Sequence, residues 1–428
     1  MQPAVLIRQR PSGPWRYGPG DGGQNRVDTL FRSDRLYSAV TLAMRDLGFL
    51  EDWLEATARN STPAVAFSSL LPYQSETLFA PPPATLWPPP FASVSTSSPV
   101  FLTKVRWKAA HFVPVSLIES ILTGATILAD QWIADPESGC LLRRDRPNAS
   151  PFRVVVRSSA AVDRLTQNSV HVNSCACAEF ESGSGLWSVA RFADGQAESR
   201  WKDRLKGAFR LLADTGFGAR RTSGWGQTEA PEFQQGTWPA LLMPRLGRSS
   251  KNGSQPANGN REASLYWLLS LYSPSSAEDI DWAAGAYEPT VRGGRIESNF
   301  GFGAEKKPVR MIAEGSVLAA RSELIGAAVD VAPDGFAHPV YRSGLALALK
   351  LPALDELTLE GPVEVPPGDE FEQRPCPGPA ESLLDGNVSR EEESPIEEQA
   401  GGEEAPSMDE SIEREALDGD GQEPGHEI

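Results

Sequence analysis

Four glycines in two pairs, Gly216, Gly218, Gly224 and Gly226, punctuate the stretch GFGARRTSGWGQ directly behind an amphipathic helical pattern. A G-h-G-x5-G-h-G run of this kind cannot continue a helix or sit inside a strand. Paired glycines let the backbone turn sharply and let amides approach a ligand with no Cβ in the way. Between the pairs stand Arg220, Arg221, Thr222 and Ser223, two guanidinium groups and two hydroxyls of the kind that meet phosphate oxygens. Trp225 is placed to stack on a base or to pack beneath the turn. The preceding segment, SRWKDRLKGAFRLLADTG (199–216), has Leu205, Phe209 and Leu212 on one side and basic residues on the other. Arg200 to Arg221 contains seven Lys/Arg and two Asp, a local net charge of +5. Exposed amides, concentrated positive charge and one aromatic ring suit a single-stranded RNA backbone. A tight β-turn with solvated arginines has the same composition, so the residues alone leave both readings open. The loop follows a helix, so it is no dinucleotide fingerprint, and it lacks the GK[ST] of a phosphate-binding NTPase loop.

Charge is segregated along the chain. From Asp355 onward there are 24 Asp and Glu against 3 Lys and Arg, a net of −21 within a whole-chain net of −17. The remainder holds 33 acids and 37 bases, a net of +4, so the acidic total says nothing against a nucleic-acid partner for the body. The acid runs of 353–428, mixed with Pro, Gly and Ser, bury too little apolar surface to order themselves, and a disordered tail is expected. RLGRSSKNGSQPANGNRE, 245–262, is polar and aperiodic, which predicts a linker over 241–262.

Within 1–240 the elements read strand (4–10), glycine- and proline-rich loop, helix from Ser33, strand (64–72), proline loop (81–90), short helix (117–124), strand (185–193), helix, glycine loop and strand. This order predicts an α+β fold with a ferredoxin-like (RRM-like) βαββαβ unit carrying long insertions. Residues 263–352 read as a second, degenerate ferredoxin-like unit: a buried strand at 264–274, a helix over SAEDIDWAAG, a hairpin over YEPTVRGGRIES and two further strand segments.

Other chemistry is sparse. The four cysteines have no zinc spacing, and no HExxH, H-x-E or G-x-S-x-G occurs, so no metal and no cofactor are expected. Asp34 and Asp163 each stand beside an arginine, which favours ion pairing over Mg²⁺. Arg310 and Glu314 are expected to pair locally. Lys104, Arg106 and Lys108 alternate along a probable strand, and Arg143, Arg144, Arg146, Arg153 and Arg157 form a second basic patch. His111 and His171 are the general-base candidates for a ribonuclease. No apolar run is long enough to cross a bilayer, the first residues do not form a secretory signal, and a cytoplasmic setting is expected.

Several islands, in order along the chain, carry a resemblance. RVDTLFRSDRLYSAV (26–40), TKVRWKAAHFVPVSLIESILTG (103–124), Val162-Asp163-Arg164, the glycine loop, KKPVRMIAEGSVL (306–318) and HPVYRSGLAL (338–347) resemble signatures of the RAMP superfamily of CRISPR proteins. Within it they are most similar to the fourth (Csm-type) subunit family of the type III-A effector complex. That resemblance implies a non-catalytic subunit that grips the 5′ handle of crRNA and joins the large polymerase/nuclease subunit to the backbone RAMP subunit. It places Gly216, Gly218, Arg220, Arg221, Ser223, Gly224 and Trp225 on the RNA-contacting loop. It places Arg164 on a segment leading into a hairpin near the handle. Ser33, Asp34 and Arg35 fall on a helix start whose amides can hold a phosphate. Two alternatives stay open: a crRNA-processing endoribonuclease of the same superfamily, and a mainly protein–protein adaptor using exposed Trp53, Trp87 and Trp107 with the acidic tail.

Overall fold

The computed structural model describes residues 2–18, 23–89, 94–96, 107–145, 150–249, 263–296 and 303–352, all within one compact unit, Met1–Pro362. The acidic tail lies outside the described residues.

The elements that matter run in chain order. Strand β1 is Gln2–Gln9, helix α1 Ser33–Asp46 and helix α2 Leu50–Ala56. Three short strands follow, β2 Val65–Phe67, β3 Leu71–Gln74 and β4 Thr77–Ala80. Then come β5 Val113–Pro114 and α3 Val115–Leu122. A long ribbon, β6 Phe152–Val162 and β7 Ser169–Phe180, precedes β8 Ser184–Phe192. Helix α4, Gly195–Thr215, leads through the glycine loop to β9, Glu232–Trp238, and α5, Pro244–Ser249. The remainder is β10 Ser264–Leu268, β11 Ile280–Ala286, β12 Pro289–Arg292, β13 Val309–Ile312, β14 Val317–Ala320, β15 Gly326–Asp330, β16 Tyr341–Leu345 and β17 Ala348–Lys350.

The main sheet has seven strands in the order β9-β1-β8-β3-β4-β5, with β2 also paired to β8, and every pairing is antiparallel. The alternation of β1 shows how the layers arise. Val5 and Ile7 face a core with α1 and α4, built on Leu36, Val40, Leu205 and Phe209. Ala4 and Leu6 face the opposite core, which contains Trp267, Val317 and Leu349 of a second sheet ordered β11-β14-β10-β17. A strand buried on both faces tends to read as a continuous apolar run, and β8, buried along its whole length, does so over LWSVARF except at Ser188 and Arg191.

Several expectations need correction. SAEDIDWAAG is no helix: a turn leads into β11, where the Asp281 carboxylate accepts from the amides of Ala283 and Ala284 at 3.0 and 3.3 Å. Gly285 then passes so close to β14 that a Cβ would meet the Val317 carbonyl at 2.7 Å. YEPTVRGGRIES does not fold on itself, because β12 pairs with β13. The start of the expected linker is helical: Leu242 and Met243 are buried, and the Glu119 carboxylate accepts from the amides of Arg245 and Leu246, at 2.6 and 3.3 Å. Trp53 and Trp107 are core residues, and Trp87 stacks on Trp107 with ring centroids 5.1 Å apart, so none offers the exposed surface expected of an adaptor.

Helix α1 is the joint of the fold. Its Asp34 carboxylate is buried and receives two 3.1 Å bonds from Arg292 and another from Arg342. Ser33 is buried too: its amide donates to Ser69 Oγ at 2.8 Å, and its hydroxyl accepts from the Leu271 amide at 2.9 Å. Glu314 pairs with Arg32 at 2.5 Å and accepts from Ser69 Oγ, in place of the local pair with Arg310. Burial pushes the Asp34 carboxyl up, but Arg292 and Arg342 outweigh it and hold it below its ordinary value of 3.8. At Glu314 burial outweighs Arg32, and the carboxyl is raised above its usual range.

Candidate nucleic-acid interface

The glycine loop lies against the segment that follows β1. Gly226 donates to the Pro14 carbonyl at 2.9 Å, and Ala219 to the Arg16 carbonyl at 2.8 Å. Trp15 Nε1 donates to the Gln227 carbonyl at 3.3 Å, and its ring stacks on Phe217 at 5.2 Å. The hydrophobic position of the first G-h-G, Phe217, is thereby a core residue, and that of the second, Trp225, stays half-buried with the Arg220 guanidinium 5.4 Å above its ring.

The glycines serve close packing. Gly216, Gly218, Gly224 and Gly226 all have φ between +75° and +85°. A Cβ on Gly216 would meet the Trp225 carbonyl at 2.6 Å, on Gly218 the Arg16 carbonyl at 2.4 Å, and on Gly226 the Phe217 carbonyl at 1.9 Å. Only at Gly224, with its nearest neighbour 3.7 Å away, is the conformation itself the sole reason. The expected array of bare amides is thus largely used up internally. Gly216, Ser223, Gly224, Trp225 and Gly226 all donate to protein carbonyls. What the loop turns outward is the arc from Gly218 to Gly224, with Thr222 and Ser223 exposed and Arg220 and Arg221 half-buried. Arg220 itself holds a left-handed conformation, φ 60°, opening a short 3₁₀ turn over Arg221–Ser223. Among the described residues no carboxylate pairs with Arg220.

The cationic face of α4 is less available than its sequence suggests. Asp52 of α2 reaches Arg200 at 3.2 Å and Arg204 at 3.5 Å. Lys202 pairs with Glu198, and Lys206 with Asp203. The second basic patch is similarly offset: Arg143 pairs with Asp145 at 2.6 Å, and Glu179 faces Arg153 at 3.6 Å and Arg157 at 2.6 Å. Lys104, Arg106 and Arg146 lie outside the described residues, as does the side chain of His171.

Arg164 sits in the turn of the β6–β7 ribbon, at its tip and not ahead of a hairpin as expected. Asp163 shapes that turn, accepting from the Leu165 amide at 3.0 Å and from Thr166 Oγ1 at 2.8 Å, which holds its carboxyl below the usual range. From Arg157 to the turn the ribbon extends roughly 20 Å at strand spacing. It carries Val156, Val172 and Leu165 in the open, Leu165 at 94% exposure. Its base is clasped by the same segment that holds the glycine loop: Trp15 bridges Ala178, and the buried Arg16 guanidinium donates to the carbonyls of Ala176 at 2.6 Å and Gln24 at 3.0 Å. Arg35 joins this neighbourhood by donating to the Gly18 carbonyl, with its side chain 24% exposed. Ser33 does not: its hydroxyl and amide are committed to the interior and are not open to a ligand. Pro14, Trp15 and Arg16, which organise the surface, were hidden in PSGPWRYGPGDGG. That stretch signals a loop and nothing about what it clasps.

Among the described residues no group of three His, Cys, Asp or Glu is placed to hold a metal, and no helix is long and apolar enough to cross a membrane.

Residues 261–351 match the family model described as the CRISPR Csm4 C-terminal domain. Over those residues the chain is similar to the C-terminal domain of Csm4. A chain in the crystal structure of the Csm3–Csm4 subcomplex of the type III-A CRISPR–Cas interference complex superposes with a TM-score of 0.51 at 14% identity, covering 82% of this chain and 99% of that one. At that identity the likeness is one of fold: mixed α/β, mostly strands, with few helices. A chain in the crystal structure of the Csm1–Csm4 cassette with pppApA gives a TM-score of 0.45 at 16% identity, over 82% and 98% of the two chains. No curated protein matches by sequence.

Proposed function

We propose that this chain is a non-catalytic RNA-binding subunit of a crRNA-guided type III complex, gripping the 5′ handle of crRNA and bridging the large polymerase/nuclease subunit to the backbone RAMP subunit. The observation that carries the reading is the glycine loop. Its backbone is tied down by Pro14, Arg16 and the Trp15–Phe217 stack, while Thr222 and Ser223 are exposed and Arg220 lies half-buried over Trp225. A loop fixed in this way meets a phosphate without first losing the freedom of a mobile segment. Arg220 on Trp225, together with Arg221, supplies cations for the backbone, and Arg35 and the ribbon tip with Arg164 extend the track. The pairing with a backbone subunit follows the similar chain of the Csm3–Csm4 subcomplex, and the large subunit follows the family resemblance.

We also read residues 1–240 as one ferredoxin-like unit and 263–352 as a reduced second one. The order β9-β1-β8-β3, with α1 and α4 on one face, supports the first. The second has a four-stranded antiparallel sheet, two two-stranded ribbons and no described helix.

Arg220→Ala with Arg221→Ala is expected to weaken binding of handle-bearing RNA and to flatten the slope of log affinity against log salt by about 0.7 for each phosphate no longer neutralised. The measurement is a filter-binding or anisotropy titration at several salt concentrations. An unchanged slope would place the RNA elsewhere. Incubation with repeat RNA in EDTA is expected to return the RNA intact; a discrete product that vanishes in His111→Ala would make the chain a nuclease.

A further inference from the structure

An open cleft of about 680 Å³ lies between the proline loop after β4 and the outer edge of the second sheet, and no residue of the glycine loop lines it. Its walls are Pro81 and Pro82 on one side and Tyr287 and Glu288 on the other, with Glu314 in the floor. The cleft is built, not incidental. Ala84 donates to the Gly315 carbonyl at 2.9 Å, Trp267 Nε1 donates to the Pro81 carbonyl at 3.1 Å, and Gly315 at φ +85° brings its turn close against Pro81. At the mouth, Trp282 and Tyr287 form an edge-to-face pair with centroids 5.2 Å apart, 40% and 39% exposed. Trp282 is one of eleven large hydrophobic side chains that are exposed among the described residues. Beside them β11 is the edge strand of its sheet.

The charge of this cleft selects its occupant. No Lys or Arg lines it, and its one imidazole is that of His111. Glu314 is already held by Arg32 and Ser69, but among the described residues no cation pairs with Glu288, which is exposed. An acidic, aromatic-rimmed cleft on a body of net charge +4 repels a polynucleotide and attracts a cation. Prolines and a tyrosine ring suit an aliphatic stem and a flat guanidinium better than a compact, strongly hydrated ammonium. We infer that this cleft is a docking site for an arginine side chain presented by a partner protein, its stem against Pro81 and Pro82, its guanidinium on Tyr287 and paired with Glu288. This is a protein contact lined by none of the residues of the proposed RNA contact, and it does not depend on that reading.

The test uses the full chain labelled with 5-fluorotryptophan, the Trp282 resonance being assigned by Trp282→Phe. The probe is the peptide acetyl-Gly-Pro-Arg-Pro-Gly-amide, compared with the same peptide carrying citrulline, which keeps the shape and loses the charge. The arginine peptide is expected to shift the Trp282 signal saturably. The citrulline peptide and the Glu288→Gln variant are each expected to bind roughly fivefold more weakly. Equal binding of the two peptides, an unaffected Glu288→Gln variant, or a ten-nucleotide uridylate that shifts Trp282 in place of the peptide would each overturn the assignment. Arg220→Ala with Arg221→Ala should leave the peptide titration unchanged, so the two sites fail or stand separately.

Discussion

Asp34→Ala is expected to destabilise the protein by about 3–5 kcal/mol, because it leaves Arg292 and Arg342 buried with no carboxylate between them. A loss of that size is a large share of a domain's stability, so thermal or urea melting should show it directly. Where the alanine variant accumulates poorly, Asp34→Asn keeps the volume and tests the charge through pH. The folded-state carboxyl is held below 3.8, so its contribution is complete above the unfolded value and disappears as pH falls through the lower folded value. The native protein should therefore lose melting temperature below about pH 4, and the asparagine variant should lose less of it there. Glu314, shifted in the opposite direction, is raised in part by the Asp34 charge itself, so the comparison is made in a Glu314→Gln background. Equal acid sensitivity in the two would remove Asp34 from the account.

Gly226→Ala is expected to damage the glycine loop more than Gly224→Ala does. Both positions have left-handed backbones, φ +80° and +75°, which cost an alanine about 1–2 kcal/mol. At 224 that is the whole penalty. At 226 the new Cβ would stand 1.9 Å from the Phe217 carbonyl, and carbonyl and ring must move together. Moving Phe217 breaks its stack on Trp15 and loosens the tie to Pro14. The expected result is a lower melting temperature than for Gly224→Ala and at least a tenfold loss of RNA affinity, read in the same binding titration. Matching behaviour of the two variants would mean that the close approach at 226 is not what holds the loop.

These two sites show where sequence reasoning reached and where it stopped. The apolar periods of 33–46 and 199–216 and the alternation of the first strand were readable, because local patterning decides those elements. Glycine spacing marked the loop, but spacing does not say whether the absent Cβ makes room for a ligand or for the protein's own carbonyls; here it is mostly the latter. Ser33 looked like a cap with amides to spare because nothing in SDRLYSAV announces that Leu271, more than two hundred residues later, takes its hydroxyl. Residues 276–285 read as a helix on composition, yet β14 draws part of that segment into strand pairing, a tertiary contact that outweighs local propensity. The arginines of α4 could be counted, but Asp52, which offsets two of them, lies on a separate helix.

The position of β1 has a consequence for synthesis. Strand β1 lies between β8 and β9, so its neighbours are encoded about 180 and 230 residues downstream. At ribosomal rates of about 5–20 residues per second, an apolar segment waits on the order of 10–50 s before Trp238 emerges to complete its pairing. Such non-local topology folds slowly. A nascent chain of this kind needs shelter for its amino-terminal segment, and yield in a heterologous host should depend on chaperone supply more than on codon choice.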